Sequence, residues 1–158
     1  MQPEQTSQAA HYTLQTADWR DLLALRRVEE ICFGLDAWPL VDLLMVLTLP
    51  GVTRLKAVVN GEMVGFVSGD VRRRERTGWI TTIGVLPEYR RLGIATALLD
   101  ECEAQMGQPV VRLCVRKSNT GAIQLYAQRG YQFVSVWNRY YSGGEDALVL
   151  EKKMGGAS

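Results

Sequence analysis

The sequence predicts an α/β fold in which one mixed sheet of about seven strands is covered by four helices. The first observation is the spacing of apolar residues, which alternate in several short segments and recur at intervals of three and four in others. The second is the order of these segments: strands come first, a strand-helix-strand-helix run follows, and a hairpin closes the chain. Turn residues such as Asn60-Gly61 separate the segments.

Length and composition bound the class of protein. The 158 residues suit one domain spanning residues 1–158, ordered over about residues 11–153 with polar tails at both ends. A formal net charge of +1 supplies no general attraction to nucleic acid or membrane, and no apolar run reaches membrane-spanning length. We expect a cytoplasmic protein, monomeric or weakly dimeric, with neither nucleic acid nor membrane among its partners.

The cysteines and the single histidine indicate neither a disulfide framework nor a metal site. Cys32, Cys102 and Cys114 are odd in number and lack the spacing of metal ligands, and His11 lies near a polar N-terminus. We expect reduced thiols and no bound metal.

The first predicted elements are a strand and a helix. Residues 1–10 are polar, carry no motif and are expected to fray. Residues 12–17 alternate like a strand. Asp18 is suited to cap a helix whose apolar residues continue to Ile31.

An unusually aromatic loop over residues 32–40 precedes a second short helix over about residues 41–47. Phe33, Leu35 and Trp38 in this loop admit two interpretations. They form either a small core cluster or the apolar wall of a substrate site.

Two hairpins follow. Residues 55–59 and 62–68 read as strands joined at Asn60-Gly61, the strongest turn signal in the chain. Residues 72–76 carry four arginines and are predicted to be the tip of the next hairpin. A solvated turn is favoured over a nucleic-acid patch, because no aromatic residues interleave for base stacking. Docking of an acidic or ribosomal partner stays open.

The central stretch of the chain predicts an anion site. Residues 79–86 form a buried strand that ends at Pro87, and apolar residues then recur at helical spacing. The N-terminus of a helix carries unpaired N–H groups and partial positive charge. Arg90 and Arg91 add charged donors, and Gly93 lets an anion approach the backbone.

The remaining elements are a buried strand, a helix and a final hairpin. Residues 110–115 form the strand, Asn119 caps the helix, and Gly130 ends it. Two last strands are predicted over residues 131–141 and 147–152.

Two motifs indicate a family. Arg90-x-x-Gly93-x-Ala95, preceded by residues 83–85, resembles the acetyl-CoA pyrophosphate loop of the GNAT N-acetyltransferases. Residues 115–131 resemble the second family signature, Val-Arg-x-x-Asn-x-x-Ala-Ile-x-Leu-Tyr-x-x-x-Gly-Phe/Tyr, and the two motifs stand in the family order. The aromatic loop and residues 138–150 are similar to those of protein N-terminal acetyltransferases, including the ribosomal-protein-alanine enzymes. The resemblance implies a GNAT-like acyl-CoA N-acyltransferase fold.

The resemblance implies a set of contacts to acetyl-CoA. The backbone of residues 83–85 would pair with the pantetheine arm, as an added strand pairs with a sheet. Residues 90–96 would hold the pyrophosphate, Asn119 the pantetheine region, and Tyr126 would face the sulfur as general acid. The implied cofactor-binding residues are Ile83, Gly84, Val85, Arg90, Arg91, Leu92, Gly93, Ile94, Ala95, Thr96, Asn119 and Tyr126.

The resemblance also implies acetyl transfer to a primary amine, most closely the N-terminal α-amine of a protein or peptide such as a ribosomal protein. The implied substrate contacts are Phe33, Leu35, Trp38, Tyr140 and Tyr141. Two alternatives stay open. A small-amine acetyltransferase for an antibiotic or polyamine would draw on Asp36, Glu145 and Asp146, and an acyl-CoA-binding module would have no turnover.

One departure from the family concerns the base. The ribosomal-protein enzymes look to have a glutamate base in the strand before the second motif, where this chain has Cys114, expected to pack rather than react. An α-amine has a pKa of about 8 and a lysine amine about 10.4, so far more of the α-amine is neutral at pH 7. A site with only water to relay the proton should therefore prefer α-amines.

Overall fold

The computed structural model describes residues 11–155, so the expected frayed segment 1–10 lies outside the described residues. The strands are β1 (Thr13–Thr16), β2 (Val52–Val59), β3 (Glu62–Arg72), β4 (Thr77–Val85), β5 (Val110–Arg116), β6 (Gln132–Trp137) and β7 (Ala147–Lys153). The helices are α1 (Leu22–Phe33), α2 (Leu40–Thr48), α3 (Ile94–Met106) and α4 (Thr120–Gln128). The predicted count of seven strands and four helices is confirmed.

The strands form one mixed sheet in the order β1-β2-β3-β4-β5-β7-β6. Only β4 and β5 run parallel, and every other neighbouring pair is antiparallel. The Asn60-Gly61 turn joins β2 to β3 as predicted, with both residues at positive φ.

The helices cover both faces of the sheet. A Cβ built on Gly84 of β4 would meet Cys32 and Phe33 of α1. A Cβ on Gly65, which lies opposite Val85 in the register, would meet Leu98 of α3. Because neighbouring residues of a strand point to opposite faces, α1 and α3 lie on opposite faces.

The sheet opens between its two parallel strands. The register of β4 with β5 covers only Thr77–Trp79 against Val110–Arg112. Beyond that point β4 continues to Val85 and β5 to Arg116 without pairing to each other. The two strands therefore splay apart and leave backbone donors and acceptors of β4 facing a cleft.

Several predicted boundaries are wrong. Asp18 caps a short 3₁₀ turn, Trp19–Asp21, through a reciprocal capping box with Asp21, and α1 starts only after that turn. β3 runs on to Arg72, four residues past its predicted end, because the hairpin tip is confined to residues 73–76. The strand predicted over residues 131–141 ends at Trp137, and positive φ at Arg139 begins the loop that follows.

The core lies between the sheet and its helices. Fully buried side chains from both faces include Leu25 of α1, Phe66 of β3, Leu98 and Leu99 of α3, and Leu113 of β5. No helix among residues 11–155 is long and apolar enough to span a bilayer.

Candidate active site

The splay between β4 and β5 opens a cavity of about 780 Å³. The two strands form its floor, the N-terminus of α3 closes one end, and the loop between α1 and α2 covers the other. Of the predicted cofactor contacts, the cavity is lined by Ile83, Gly84, Val85, Arg90, Arg91, Gly93, Ile94, Ala95, Thr96, Asn119 and Tyr126. Leu92 is not among the lining residues and is 43% exposed.

The turn before α3 presents donors to the cavity. Arg90 Nε donates to the Val85 carbonyl at 3.0 Å, which fixes the stem of that side chain against the end of β4. Arg91 and Gly93 both have positive φ, at 64° and 81°. Nothing lies within 4 Å of a Cβ built on Gly93, so the space beside this backbone is open. The arrangement suits an anion held by backbone N–H groups and guanidinium.

Tyr126 of α4 reaches the cavity from the opposite wall. Its side chain is buried among apolar neighbours, and its ring meets the ring of Tyr131 edge-on at 5.8 Å. Burial raises the pKa of Tyr126 to about 12, so the phenol is protonated at physiological pH. Asn119 Oδ1 accepts a hydrogen bond from the Ala122 amide at 3.2 Å and thereby caps α4, as its sequence position predicts.

The loop between α1 and α2 brings two of its three predicted contacts to the cavity. Phe33 and Trp38 line it. Leu35 does not, and is 96% exposed. At the other substrate segment Tyr141 lines the cavity, whereas Tyr140 lies outside it and is 54% exposed.

Arg116 at the end of β5 joins the two loops that flank the cavity mouth. Its guanidinium donates to Asp36 of the first loop, with Nε to Oδ2 at 2.7 Å, and to Glu145 of the second at 2.8 Å. It also donates to the Ser142 carbonyl and lies 4.6 Å from the centre of the Tyr141 ring. Two of the acidic residues considered for a small-amine pocket are thus bound by one arginine, whose single positive charge offsets one of their two negative charges.

The third acidic residue of that set also bonds within the protein. Asp146 Oδ1 accepts from the Arg139 amide at 2.9 Å, and its carbonyl accepts from the Lys117 amide. Hydrogen bonds from Ser118, and then from Arg116, lower the pKa of Glu145 to about 2.

Glu29 is the buried carboxyl of the cavity. It is 2% exposed, Oε1 accepts from Thr82 Oγ1 of β4 at 2.7 Å, and Oε2 has no hydrogen-bond partner within the described residues. Burial raises the pKa of Glu29, while the hydrogen bond from Thr82 opposes that shift. No cationic side chain pairs with it among residues 11–155.

Cys114 lines the cavity from β5. Burial raises the pKa of its thiol to about 11, so it is a neutral thiol at physiological pH and a poor nucleophile. Among the described residues no group of three or more His, Cys, Asp or Glu side chains is placed to hold a metal ion.

Sequence reasoning gave no role to Glu29 or Arg116. A signal existed for Glu29, because it stands within the apolar positions of α1, next to Val28 and between Leu25 and Cys32. A charged residue on an apolar face is expected to be rare unless it is bonded. Arg116 stood inside the second motif, but its partners are 80 and 29 positions away in sequence.

The chain belongs to the acetyltransferase (GNAT) family, whose model matches residues 15–131. It is therefore an N-acetyltransferase, and it is similar to several N-terminal (N-alpha) acetyltransferases. It is 34% identical over 143 residues, 86% of this chain and 74% of the relative, to the NAA10 catalytic subunit of the Arabidopsis thaliana N-terminal acetyltransferase A complex.

Solved structures agree with this placement. The ribosomal-protein-S18-alanine N-acetyltransferase from Escherichia coli superposes with a TM-score of 0.82 at 25% identity, over 94% of this chain and 98% of that one. A chain of the NatC complex bound to Gag peptide and CoA superposes with a TM-score of 0.76 at 19% identity, over 92% and 99%. At 19% identity, the similarity to the NatC chain shows a shared fold alone.

Proposed function

We propose that the protein transfers the acetyl group of acetyl-CoA to the N-terminal α-amine of a protein or peptide. The observation that carries this is the cleft between β4 and β5, with an anion-binding helix terminus at one end and a loop-covered mouth at the other. The names of the relatives support the same reaction, and the NatC structure was solved with both CoA and a peptide.

The residues around the cleft fit acetyl-CoA. The unpaired end of β4 offers backbone donors and acceptors to the amides of the pantetheine arm. Arg90, Arg91 and the open backbone at Gly93 suit a pyrophosphate. Acetyl-CoA supplies an activated thioester, and the chain supplies binding and orientation.

The reaction we propose is direct attack of a neutral amine on the thioester carbonyl. The C–N bond forms, the C–S bond breaks, and the amine loses one proton to water. The Tyr126 phenol donates a hydrogen bond to the sulfur as negative charge develops there. Because its pKa of about 12 exceeds that of an ordinary thiol, near 8.5, the phenol that the resemblance implies as general acid stabilises the departing thiolate by this hydrogen bond and keeps its proton.

The hydrogen bonding of the mouth favours an α-amine over a polyamine. A polycationic acceptor needs carboxylates that are free to bind it, whereas Asp36 and Glu145 are held by Arg116 and Asp146 accepts from the Arg139 amide. Cys114 points the same way, because its neutral thiol cannot accept a proton from a lysine amine near neutral pH.

The three cysteines are free thiols. We place the enzyme in the cytoplasm, where thiols stay reduced. The N-terminus of a ribosomal protein is a candidate acceptor, because the similar Escherichia coli structure is that of the ribosomal-protein-S18-alanine N-acetyltransferase.

The test is CoA release from acetyl-CoA with a panel of acceptors. It holds short peptides that differ at residue one, N-terminally blocked peptides with an internal lysine, and common small amines. Turnover of free-N-terminus peptides is expected. Turnover of small amines alone, or faster turnover of the lysine peptides, would overturn the proposal, and tight acetyl-CoA binding without turnover would favour a binding module.

A further inference from the structure

Four aromatic rings form a continuous row on the surface, which we call the aromatic track: Trp79, Trp137, Tyr140 and Tyr141. Consecutive ring centres are 5.7, 5.5 and 5.0 Å apart. Trp137 is 39% exposed and Tyr140 54% exposed. The rings come from β4, from β6 and from the loop after β6, so only the fold brings them together.

One end of the track lies at the cavity. Tyr141 lines the cavity and stacks under the guanidinium of Arg116 at 4.6 Å. The row of rings therefore begins at the cavity and continues through three rings that do not line it.

The other end of the track is cationic. The Arg72 guanidinium lies 5.3 Å from the centre of the Trp79 ring. Arg72 precedes the hairpin tip that carries Arg73, Arg74 and Arg76, and these three are exposed. The sole ion pair of this group within the described part of the chain is the long one from Arg72 to Glu75, at 4.0 Å. The hairpin therefore presents positive charge that acidic side chains could neutralise.

We propose that the aromatic track binds the residues of the acceptor polypeptide that follow its N-terminus, with apolar side chains on the rings and acidic side chains at the Arg72 end. This rests on the proposed function. It makes Trp79, Trp137 and Arg72 determinants of acceptor specificity, beyond the two tyrosines that the sequence indicated.

The length of the track sets the length of the recognised segment. An extended chain rises about 3.3 Å per residue, so the row of four rings passes about five residues. Apolar or aromatic side chains gain contact area on such rings, and each aromatic contact is worth enough to change affinity severalfold. The acidic residues would then stand at about positions six to eight.

A single-stranded nucleic acid fits the surface less well. The structure does place Trp79 beside Arg72, which the sequence did not predict. The Trp79 and Trp137 rings, however, stack on each other at 26°, and the tyrosine rings meet edge-on at 89°. Rings at such different angles offer no set of parallel faces on which successive bases could stack, whereas apolar side chains can pack against their exposed edges and faces.

The first experiment varies the acceptor. The peptides are a tripeptide and three octapeptides, all with the same first two residues. One octapeptide continues with Gly and Ser, and the other two continue with Phe-Leu followed by acidic residues in one and basic residues in the other. The apolar, acidic octapeptide is expected to have a KM about tenfold below that of the tripeptide at equal kcat. Equal KM values for all lengths and tails would overturn the inference and leave the proposed function standing.

The second experiment exchanges charge. In Arg72→Glu the preference for the acidic over the basic tail, measured as a ratio of kcat/KM, is expected to reverse. Arg26→Glu, on an exposed arginine of α1, is the matched control and should keep the wild-type ratio. An unchanged ratio in Arg72→Glu would overturn the inference.

A binding measurement separates the two proposals. The N-terminally acetylated octapeptide cannot react, so its binding by calorimetry reports the track alone. Binding is expected to weaken about tenfold in Trp137→Ala and to stay unchanged in Trp19→Ala, an exposed tryptophan outside the track. The inference would be overturned if the acetylated octapeptide bound no tighter than the acetylated tripeptide, or if oligouridylate bound more tightly than the octapeptide. Either result could occur while the enzyme still acetylates free peptides, so the proposed function would stand.

Discussion

The two sides of the cavity are built in different ways. The cofactor side comes from two continuous stretches, the end of β4 with the turn into α3, and α4 with its N-cap, and its donors are largely backbone groups and neighbouring side chains. The acceptor side comes from two loops that Arg116 joins across 80 and 29 positions of sequence. A continuous stretch can be recognised from a motif, whereas a side assembled by one long-range contact cannot.

Replacing the cofactor-side phenol is expected to have the largest effect. Tyr126→Phe should lower kcat about a hundredfold and leave acetyl-CoA affinity unchanged, because only the developing thiolate needs the hydroxyl. Tyr131→Phe is the matched control, since that hydroxyl donates to Glu103 Oε2 and not to the cavity. Single-turnover kinetics and calorimetry measure the two quantities. Unchanged turnover would remove Tyr126 from the mechanism.

The pH profile tests the same group. The pKa of Tyr126 is raised to about 12, so the phenol stays protonated as the pH rises through the working range. The kcat/KM for a peptide should rise with pH and level off above the α-amine pKa of about 8, without an alkaline decline below pH 10. A decline near pH 9 that is absent in Tyr126→Phe would contradict this.

Removing the contacts that join the two loops of the acceptor side is expected to have the next largest effect. Arg116→Gln removes the charge-assisted hydrogen bonds to Asp36 and Glu145 and leaves two carboxylates facing each other. We expect kcat/KM for peptides to fall about 10- to 100-fold with acetyl-CoA affinity retained. Arg112→Gln is the control, because Arg112 lies on the same strand and pairs with Glu151 away from the cavity. Equal losses in both variants would mean a general effect on β5.

Perturbing the anion site is expected to affect only the cofactor side. Gly93→Ala adds a Cβ at φ +81° in a space that the protein leaves open, so the costs are backbone strain and obstruction of the bound anion. Acetyl-CoA affinity should fall about tenfold. Gly51→Ala has the same φ and the same open space in a remote turn, so it should show the strain without the loss of affinity. Equal affinities of the two variants would place the pyrophosphate elsewhere.

Replacing the buried carboxyl of Glu29 is expected to have a smaller effect, which concerns stability. Because burial raises the pKa of Glu29, its ionisation costs stability at high pH, and the cost disappears as the pH falls and the group protonates. The Tm of Glu29→Gln relative to that of wild type should therefore increase as the pH is raised from 5 to 8. Glu103, equally buried but paired with Lys152 at 2.9 Å, is the contrast, and Glu103→Gln should be destabilised at pH 7. A difference in Tm that does not change with pH would place the Glu29 pKa in its usual range.

The elements that sequence predicted best are those with local causes. The Asn60-Gly61 hairpin, the seven strands and the four helices follow from turn chemistry and apolar spacing. The end of β6 was missed because Tyr140 and Tyr141, residues that are common in strands, follow shortly after it. Leu35 and Trp38 are three residues apart in one loop, yet only Trp38 lines the cavity, and nothing local distinguishes them. The aromatic track was missed for the same reason, since its rings meet only after the sheet has formed.

The smallest expected effect concerns the residue that replaces the family's glutamate. Cys114→Ala should leave kcat within about twofold, because a thiol with a pKa of about 11 is neutral at pH 7 and can neither accept a proton nor attack. Incubation with acetyl-CoA alone should give no acetylated protein by mass spectrometry. A loss of more than tenfold, or an acetyl group on Cys114, would mean that the acceptor side supplies chemistry and not only position. The cofactor side and the acceptor side would then no longer differ in this respect, because both would act on the reacting atoms.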